Sequence, residues 1–253
     1  MLPAIDAHAH VEVYVGPEDL VELDALVLAV TTQAEEWAPA GGREDEMTIW
    51  GIGVHPLRRT ELESFSITRF EEAVSGCLLV GEIGLDRKTL SDRSTMVFEE
   101  ILSVLAQVSR PATIHSSGAE RSVLDALARK PVQAPILHWW RGGVAETRAA
   151  IDLGCYFSLN GAQAESNRLL ELIPPDRVFT ETDYPHSRKR DPHASRPGAV
   201  ETIEDRLMSE WGADRFAVRR RLWRNVAALF DRCELLERLP LTTQESILAA
   251  GLD

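Results

Sequence analysis

Apolar residues along the chain gather into short runs that alternate with amphipathic, helix-like stretches, and eight such runs stand out: 2–7, 25–31, 48–54, 77–82, 112–115, 135–138, 155–159 and 177–181. Most are continuously apolar rather than alternating, the pattern of strands buried on both faces of a parallel sheet. Between them, 97–108 reads as a helix with Val97, Ile101, Val104, Leu105 and Val108 on one face, and 123–127, 145–153 and 168–173 supply further crossovers. Strand and helix alternating eight times predicts an α/β chain folded as a (β/α)8 TIM barrel rather than an open doubly wound sheet. The first crossover, 17–24, holds barely two turns, so its helix is expected to be stunted, and 41–46 reads as a polar loop. After the eighth run comes a helical tail with 222–230 and 235–239 as its apolar parts. No repeat or composition break marks a second domain, so 1–253 reads as one domain, with a core of about 1–231 and a tail over 232–253.

The chemistry gathers where these runs end. Run one closes on Asp6-Ala7-His8-Ala9-His10, run three on Gly53-Val54-His55-Pro56, and run four on Gly81-Glu82-Ile83-Gly84-Leu85-Asp86. Runs five, six and eight close on Ile114-His115, Leu137-His138-Trp139-Trp140 and Glu181-Thr182-Asp183. In an α/β barrel those ends surround one mouth, where active sites are built, so residues distant in sequence become neighbours. His8 and His10, two apart on a strand, share a face and can share an ion. A lone His-x-His is an ordinary structural feature, but five of the seven histidines fall at ends on the same face. Imidazoles and carboxylates together suit Zn or Mn, while Mg favours the carboxylates. So many ligands exceed the needs of one ion, and two divalent ions sharing a carboxylate use them better.

Composition narrows the partners. Of 253 residues 44% are hydrophobic and 26% charged, which excludes disorder, collagen and coiled coil. With 27 Lys+Arg against 40 Asp+Glu the net charge is −13, so any nucleic-acid site must be a local cationic patch. Cys77, Cys155 and Cys233 have neither metal spacing nor an even count, which fits a reducing cytoplasm. The N-terminus lacks a basic leader, and no apolar run approaches the roughly 18 residues of a membrane span, so a cytoplasmic protein without membrane contact is expected.

Taken in order, Asp6–His10, Gly51-Ile52-Gly53-Val54-His55-Pro56, Gly81–Asp86, Ile114-His115-Ser116, Leu137-His138-Trp139, Glu181-Thr182-Asp183-Tyr184-Pro185 and a late Asn225-Val226-Ala227-Ala228-Leu229-Phe230 resemble the TatD-type metal-dependent deoxyribonucleases of the amidohydrolase superfamily, over about residues 4 to 231. The resemblance implies one ion held by His8, His10, Glu82 and Asp183 and a second by Glu82, His115 and His138, with Glu82 bridging. It implies hydrolysis of DNA phosphodiesters, often from the 3′ end, by water whose pKa the ions lower to about 7. Asp183 then accepts the water's proton, and His55 steadies a phosphate oxygen or protonates the leaving oxygen. Three features, namely the short first crossover, Val30-Thr31-Thr32 followed by Trp37, and Pro135–Trp139, are similar to the QatD branch found in anti-phage defence cassettes, which implies protein partners in a defence complex.

The chain also departs from the family pattern. Ser116-Ser117-Gly118 follows His115 where an Arg is typical, and Trp139-Trp140-Arg141 follows His138 in place of a Cys-Phe-Ser-type stretch. Phosphate recognition is therefore expected to shift to Arg141 and to the basic loop Arg188, Lys189 and Arg190, with Arg196 beyond it. Trp139 or Trp140 is expected to stack on a base of single-stranded DNA while the other packs beneath the site. His186 and His193 read equally as loop or substrate contacts, and Arg219–Arg221 as a plain helical surface. A small-molecule hydrolase acting on a lactone, amide or phosphoester is the alternative, since this metal barrel serves many reactions. A scaffolding subunit is a third, against which the cost of so many polar groups around one mouth weighs.

Overall fold

The computed structural model describes residues 1–163 and 167–251. Eight parallel strands run in sequential order: β1 (Ala4–His10), β2 (Ala25–Val30), β3 (Thr48–Ile52), β4 (Leu79–Gly84), β5 (Pro111–His115), β6 (Ala134–His138), β7 (Tyr156–Leu159) and β8 (Val178–Thr180). The sheet curls so that β8 returns to β1. There the Thr180 hydroxyl donates to the Ile5 carbonyl, Asp183 N–H donates to His8 O at 2.9 Å, and His10 N–H donates to Tyr184 O at 2.8 Å. The result is the expected (β/α)8 barrel, nearly closed. Its strands are buried almost throughout, which is why their sequences run apolar without alternation.

Helices cover the outside. The first crossover is the stunted helix expected, α1 (Pro17–Val21), with Pro at its first turn. Next come α2 (Trp37–Gly41), α3 (Arg59–Ser64), α4 (Ile67–Gly76), α5 (Asp92–Leu105), α6 (Glu120–Arg129), α7 (Val144–Asp152), α8 (Asn167–Leu172), α9 (Glu201–Trp211), α10 (Arg215–Asp231) and α11 (Leu241–Gly251). The apolar face anticipated for 97–108 is buried in α5, at Val97, Ile101, Val104 and Leu105. Asn225 on α10 donates to Pro175 O and Val178 O, both at 2.8 Å, so the late Asn motif fastens this helix to the entry of β8.

The tail corrects one expectation. Instead of a helix over 235–239 there is a single turn at Leu236–Arg238, because Glu234 takes a left-handed φ of 56° that stops α10 from continuing. The tail's helix is α11, which falls within the 232–253 read as a helical tail but beyond its apolar part at 235–239. It lies on α10, with Arg224 Nε donating to Ala250 O at 3.1 Å, and it reaches the strand-entry end of the barrel, where Thr243 Oγ1 donates to Glu46 O at 3.0 Å. Arg219, expected on a plain surface, is instead clamped between Glu204, at 2.7 Å and 3.0 Å, and the Leu2 carbonyl. All three cysteines are free and buried. Among the described residues no helix is long and apolar enough to cross a membrane.

Candidate metal centre

Two close backbone approaches assemble the mouth. A Cβ on Gly53 would collide with the Glu82 backbone, and one on Gly84, at φ 134°, with the His115 carbonyl. Only glycine lets β3, β4 and β5 draw together at these points, which accounts for the Gly-rich spacing around His55 and Glu82. On the other side Asp6, fully buried, accepts from Thr182 N–H (2.9 Å), Thr182 Oγ1 (2.6 Å), Gly198 N–H (2.8 Å) and His8 N–H (3.3 Å). Burial pushes its carboxyl up to about 6 against the pull of those donors, so it is ionised at neutral pH. Asp6 thereby pins the segment after β8 against β1 and sets Asp183 beside His8 and His10.

Glu82 stands at the centre, 1% exposed, and its two oxygens face different partners. Oε2 lies 3.2 Å from His10 Nε2 and 3.5 Å from His8 Nε2, and Asp183 Oδ1 faces the same two nitrogens at 3.5 Å and 3.8 Å. Oε1 lies 2.7 Å from His115 Nδ1, 2.9 Å from His138 Nε2 and 3.2 Å from His55 Nε2. The two sets adjoin, since the His8 and His138 rings stack with centroids 3.8 Å apart. Three groups can each hold an ion, their ligand atoms within 4.8 Å of one another: His8, His10 and Glu82; His8, His138 and Asp183; and His55, Glu82 and His115.

The donor set fits a divalent cation. His8 Nδ1 lies 3.0 Å from Thr113 Oγ1, while its Nε2 and Glu82 Oε2 are buried and have no hydrogen-bond partner. Burial, reinforced by His138, depresses His8 to about 3, so it is a neutral imidazole whose lone pair points at two carboxylates. Converging lone pairs of this kind are costly to bury unless a cation lies between them. Burial opposes ionisation of Glu82 and Asp183, yet the surrounding imidazoles outweigh it, holding Glu82 well below the usual carboxylate range and lowering Asp183 as well. Burial likewise works against protonating His10 and His115, but the carboxylates facing them prevail. Asp183 and Glu82 raise His10 to about 10, and Asp86 and Glu82 raise His115 to about 9.

Several positioning groups escaped the sequence. Asp86 Oδ2 sits 3.0 Å from His115 Nε2, and Thr113 orients His8. Glu181, raised well above its ordinary value by burial and then by Asp183, accepts from Asn160 Nδ2, from Ser158 and from Trp139 N–H, fixing the turn at Trp139, whose φ is 40°. His55 Nδ1 accepts from Leu57 N–H at 3.0 Å, so in the neutral ring the proton is on Nε2, facing Glu82.

Above the cluster opens a cavity of about 650 Å³ lined by His10, His55, Glu82, His115, His138 and Asp183 at the floor and by Trp139, Arg141, Lys189 and Arg190 on one wall. Arg190 lies 5.5 Å over the Trp139 ring. Trp140 packs beneath with its Nε1–H on Thr147 Oγ1, as expected of one member of the pair. Two basic residues expected at the mouth lie elsewhere. Arg188 is not in the lining and sits over Tyr184 at 6.0 Å, while Arg196 donates to Leu23 O near the entry of β2. Of the two undecided histidines, His186 lines the cavity against His10, with rings 4.6 Å apart, and His193 does not. Arg58, Lys88, Leu57 and Thr32 line it unforeseen.

Comparison with known proteins agrees with the site. The fission yeast Schizosaccharomyces pombe protein "Deoxyribonuclease Tat-D" is 30% identical over 165 residues, covering 56% of this chain and 53% of the relative. The Pantoea ananatis "3'-5' ssDNA/RNA exonuclease TatD" is 26% identical over 188 residues, covering 70% and 68%. The chain thus spans about half of the first relative's length and two thirds of the second's. Among solved structures, the TatD homologue YJJV of Escherichia coli superposes with a TM-score of 0.77 at 19% identity, over 91% of this chain and 99% of that one. The family described as TatD related DNase matches residues 5–231, and the chain belongs to it.

Proposed function

We propose that this metal-dependent hydrolase cleaves DNA phosphodiester bonds as an exonuclease acting on single-stranded or frayed ends, with two divalent ions sharing Glu82. The carrying observation is one cavity that combines a floor of converging imidazoles and carboxylates, the unpartnered Oε2 of Glu82 at its centre, with a wall of Arg141, Lys189, Arg190 and Trp139. His8, His10, Glu82 and Asp183 would hold one ion, and Glu82, His115 and His138 the other. Such ions supply Lewis acidity, which acidifies water and offsets charge on the phosphate oxygens. Asp183, kept ionised by its imidazole neighbours, accepts the proton of the attacking water. His55 presents its Nε2–H as a hydrogen-bond donor that steadies the leaving oxygen, because Leu57 N–H occupies the other nitrogen. Arg141 supplies the phosphate-binding charge that Ser116 and Ser117 do not, and Trp139 offers a face on which a base can stack.

A place in an anti-phage complex rests on the sequence likeness at 30–32, 37 and 135–139 alone. Trp37 is occupied with packing, its Nε1–H on Gly53 O at 2.9 Å and its ring against Phe65 and Phe70. Co-purification with the products of adjacent genes tests that role.

The enzymatic reading is tested with end-labelled single-stranded DNA, duplex DNA and RNA, beside lactone, amide and phosphoester compounds, using metal-loaded protein and the Glu82→Ala and Asp183→Asn variants. Metal-dependent shortening of the single strand, lost in both variants, is expected. DNA cleavage that survives chelator and Glu82→Ala contradicts the reading. Turnover of a small compound with none of any strand transfers the protein to the alternative class.

A further inference from the structure

The cavity has a second wall that the nuclease reading does not use. In an eight-stranded barrel the loops after β3 and β4 lie across the mouth from those after β7 and β8, and here they bring Leu57, Arg58 and Lys88 to the cavity. Leu57 is a large apolar side chain left 41% exposed. The Lys88 ammonium has no hydrogen bond or ion pair among the described residues. Among the described residues the only bond of the Arg58 guanidinium is a 3.4 Å contact with the Thr32 hydroxyl. In a chain of net charge −13, two cations that face a cavity without a salt bridge among the described residues, Lys88 feeling only the nearby charge of Asp86, leave charge available to an external anion.

The wall is also built to hold its shape. Arg59 Nη2 donates to Lys88 O at 2.9 Å, tying the two loops together, and Lys88 N–H donates to Asp86 Oδ1 at 2.8 Å. Arg58 N–H donates to His55 O at 2.9 Å and Leu57 N–H to His55 Nδ1, so the wall and the proton-bearing ring of His55 form one unit. Its chemistry resembles that of the facing wall, where Trp139 stands with the three cations Arg141, Lys189 and Arg190: an apolar surface beside positive charge is the complement of a base and its phosphate.

We propose that Leu57, Arg58 and Lys88 form a second nucleotide subsite across the metal centre from Trp139 and Arg190, and that it holds the leaving-side segment of the strand through a phosphate beyond the scissile one. This rests on the nuclease reading and deepens it. Because His55 belongs to this wall and donates its Nε2–H to the departing oxygen, the segment that departs is the one seated here.

The test compares kcat/KM on 5′-phosphorylated oligothymidylate with kcat/KM on bis(4-nitrophenyl) phosphate, which carries a single phosphodiester and no neighbouring phosphate, for wild type and Arg58→Gln/Lys88→Gln, both metal-loaded. The ratio of strand to single-diester activity is expected to fall at least tenfold in the variant, chiefly through KM. The salt dependence of strand binding should flatten by ~0.7 in log-log slope for each cation removed. A ratio within twofold of wild type overturns the subsite, as does equal loss on both substrates, which would mark a disturbed metal centre. If wild type hydrolyses the single diester but no strand, the nuclease reading itself fails and the subsite with it. Wild-type strand cleavage alongside an unimpaired variant sinks the subsite alone.

Discussion

Replacing Thr113 with Val removes one hydroxyl and almost no volume, and it probes how the protein prepares His8. Thr113 Oγ1 and His8 Nδ1 are 3.0 Å apart, and both residues are fully buried. With His8 a neutral imidazole at about 3, the tautomer whose Nδ1–H donates to Thr113 is the one that leaves the Nε2 lone pair facing Glu82 and Asp183, as an ion ligand requires. Without the hydroxyl, the ring either keeps a buried unpaired N–H, costing about 1–3 kcal/mol, or moves its proton to Nε2, where it blocks the ligand position. Loss of a group that orients a ligand histidine weakens metal binding by about 10- to 100-fold, or about 1.4 to 2.7 kcal/mol. Urea denaturation of the metal-free protein should therefore show a loss of ~1–3 kcal/mol, and calorimetric titration of Mn or Zn a Kd raised by one to two decades. Reduced stability with unchanged metal affinity would refute the orienting role, and no change in either would refute the hydrogen bond's importance altogether.

Metal binding should release protons. His10 and His115, raised to about 10 and about 9 in the metal-free site, are both protonated at neutral pH and must each free a nitrogen to bind, so up to about two protons leave and affinity climbs with pH. Titrations in two buffers of different ionisation enthalpy measure this, and identical heats would contradict it. Because both values are raised, the stability these groups give the metal-free protein is full below 6.5 and is lost as pH rises through about 9 to 10, which thermal unfolding against pH checks. Asp6→Ala strands four donors at the β1–β8 closure and should cost at least ~3 kcal/mol in urea denaturation. A loss under ~1 kcal/mol would mean the closure does not depend on Asp6.

The residues of the metal cluster were legible because buried parallel strands make apolar runs, and polar residues closing such runs have one place to go. What the runs concealed was their own length. β1 continues to His10 and β4 to Gly84, since the ligands themselves are strand residues whose polarity ended the apolar pattern. Charge in loops was far less readable. Arg188 and Arg190 are neighbours in one basic stretch, yet one stacks on Tyr184 outside the cavity and the other on Trp139 inside it. Arg58 and Lys88, each a single cation in an ordinary loop, gave no signal, because only the pairing of β3 with β4 brings their loops together. Thr113, an unremarkable hydroxyl in an apolar strand, was equally invisible. Within the expected helical tail the bounds of α11 were not legible because its apolar positions do not share a face: Leu241 and Leu248 are exposed while Thr243 and Ala250 are buried.

The account turns on Glu82 joining two ion sites with one carboxylate. Metal content per chain, measured by elemental analysis after equilibration with Mn or Zn and gel filtration, addresses this most directly when paired with strand cleavage for wild type and Glu82→Gln. Two equivalents in an active wild type, falling to one or none with loss of cleavage in Glu82→Gln, is the predicted result. Two equivalents retained in a variant that still cuts DNA would contradict the bridging role and the mechanism built on it.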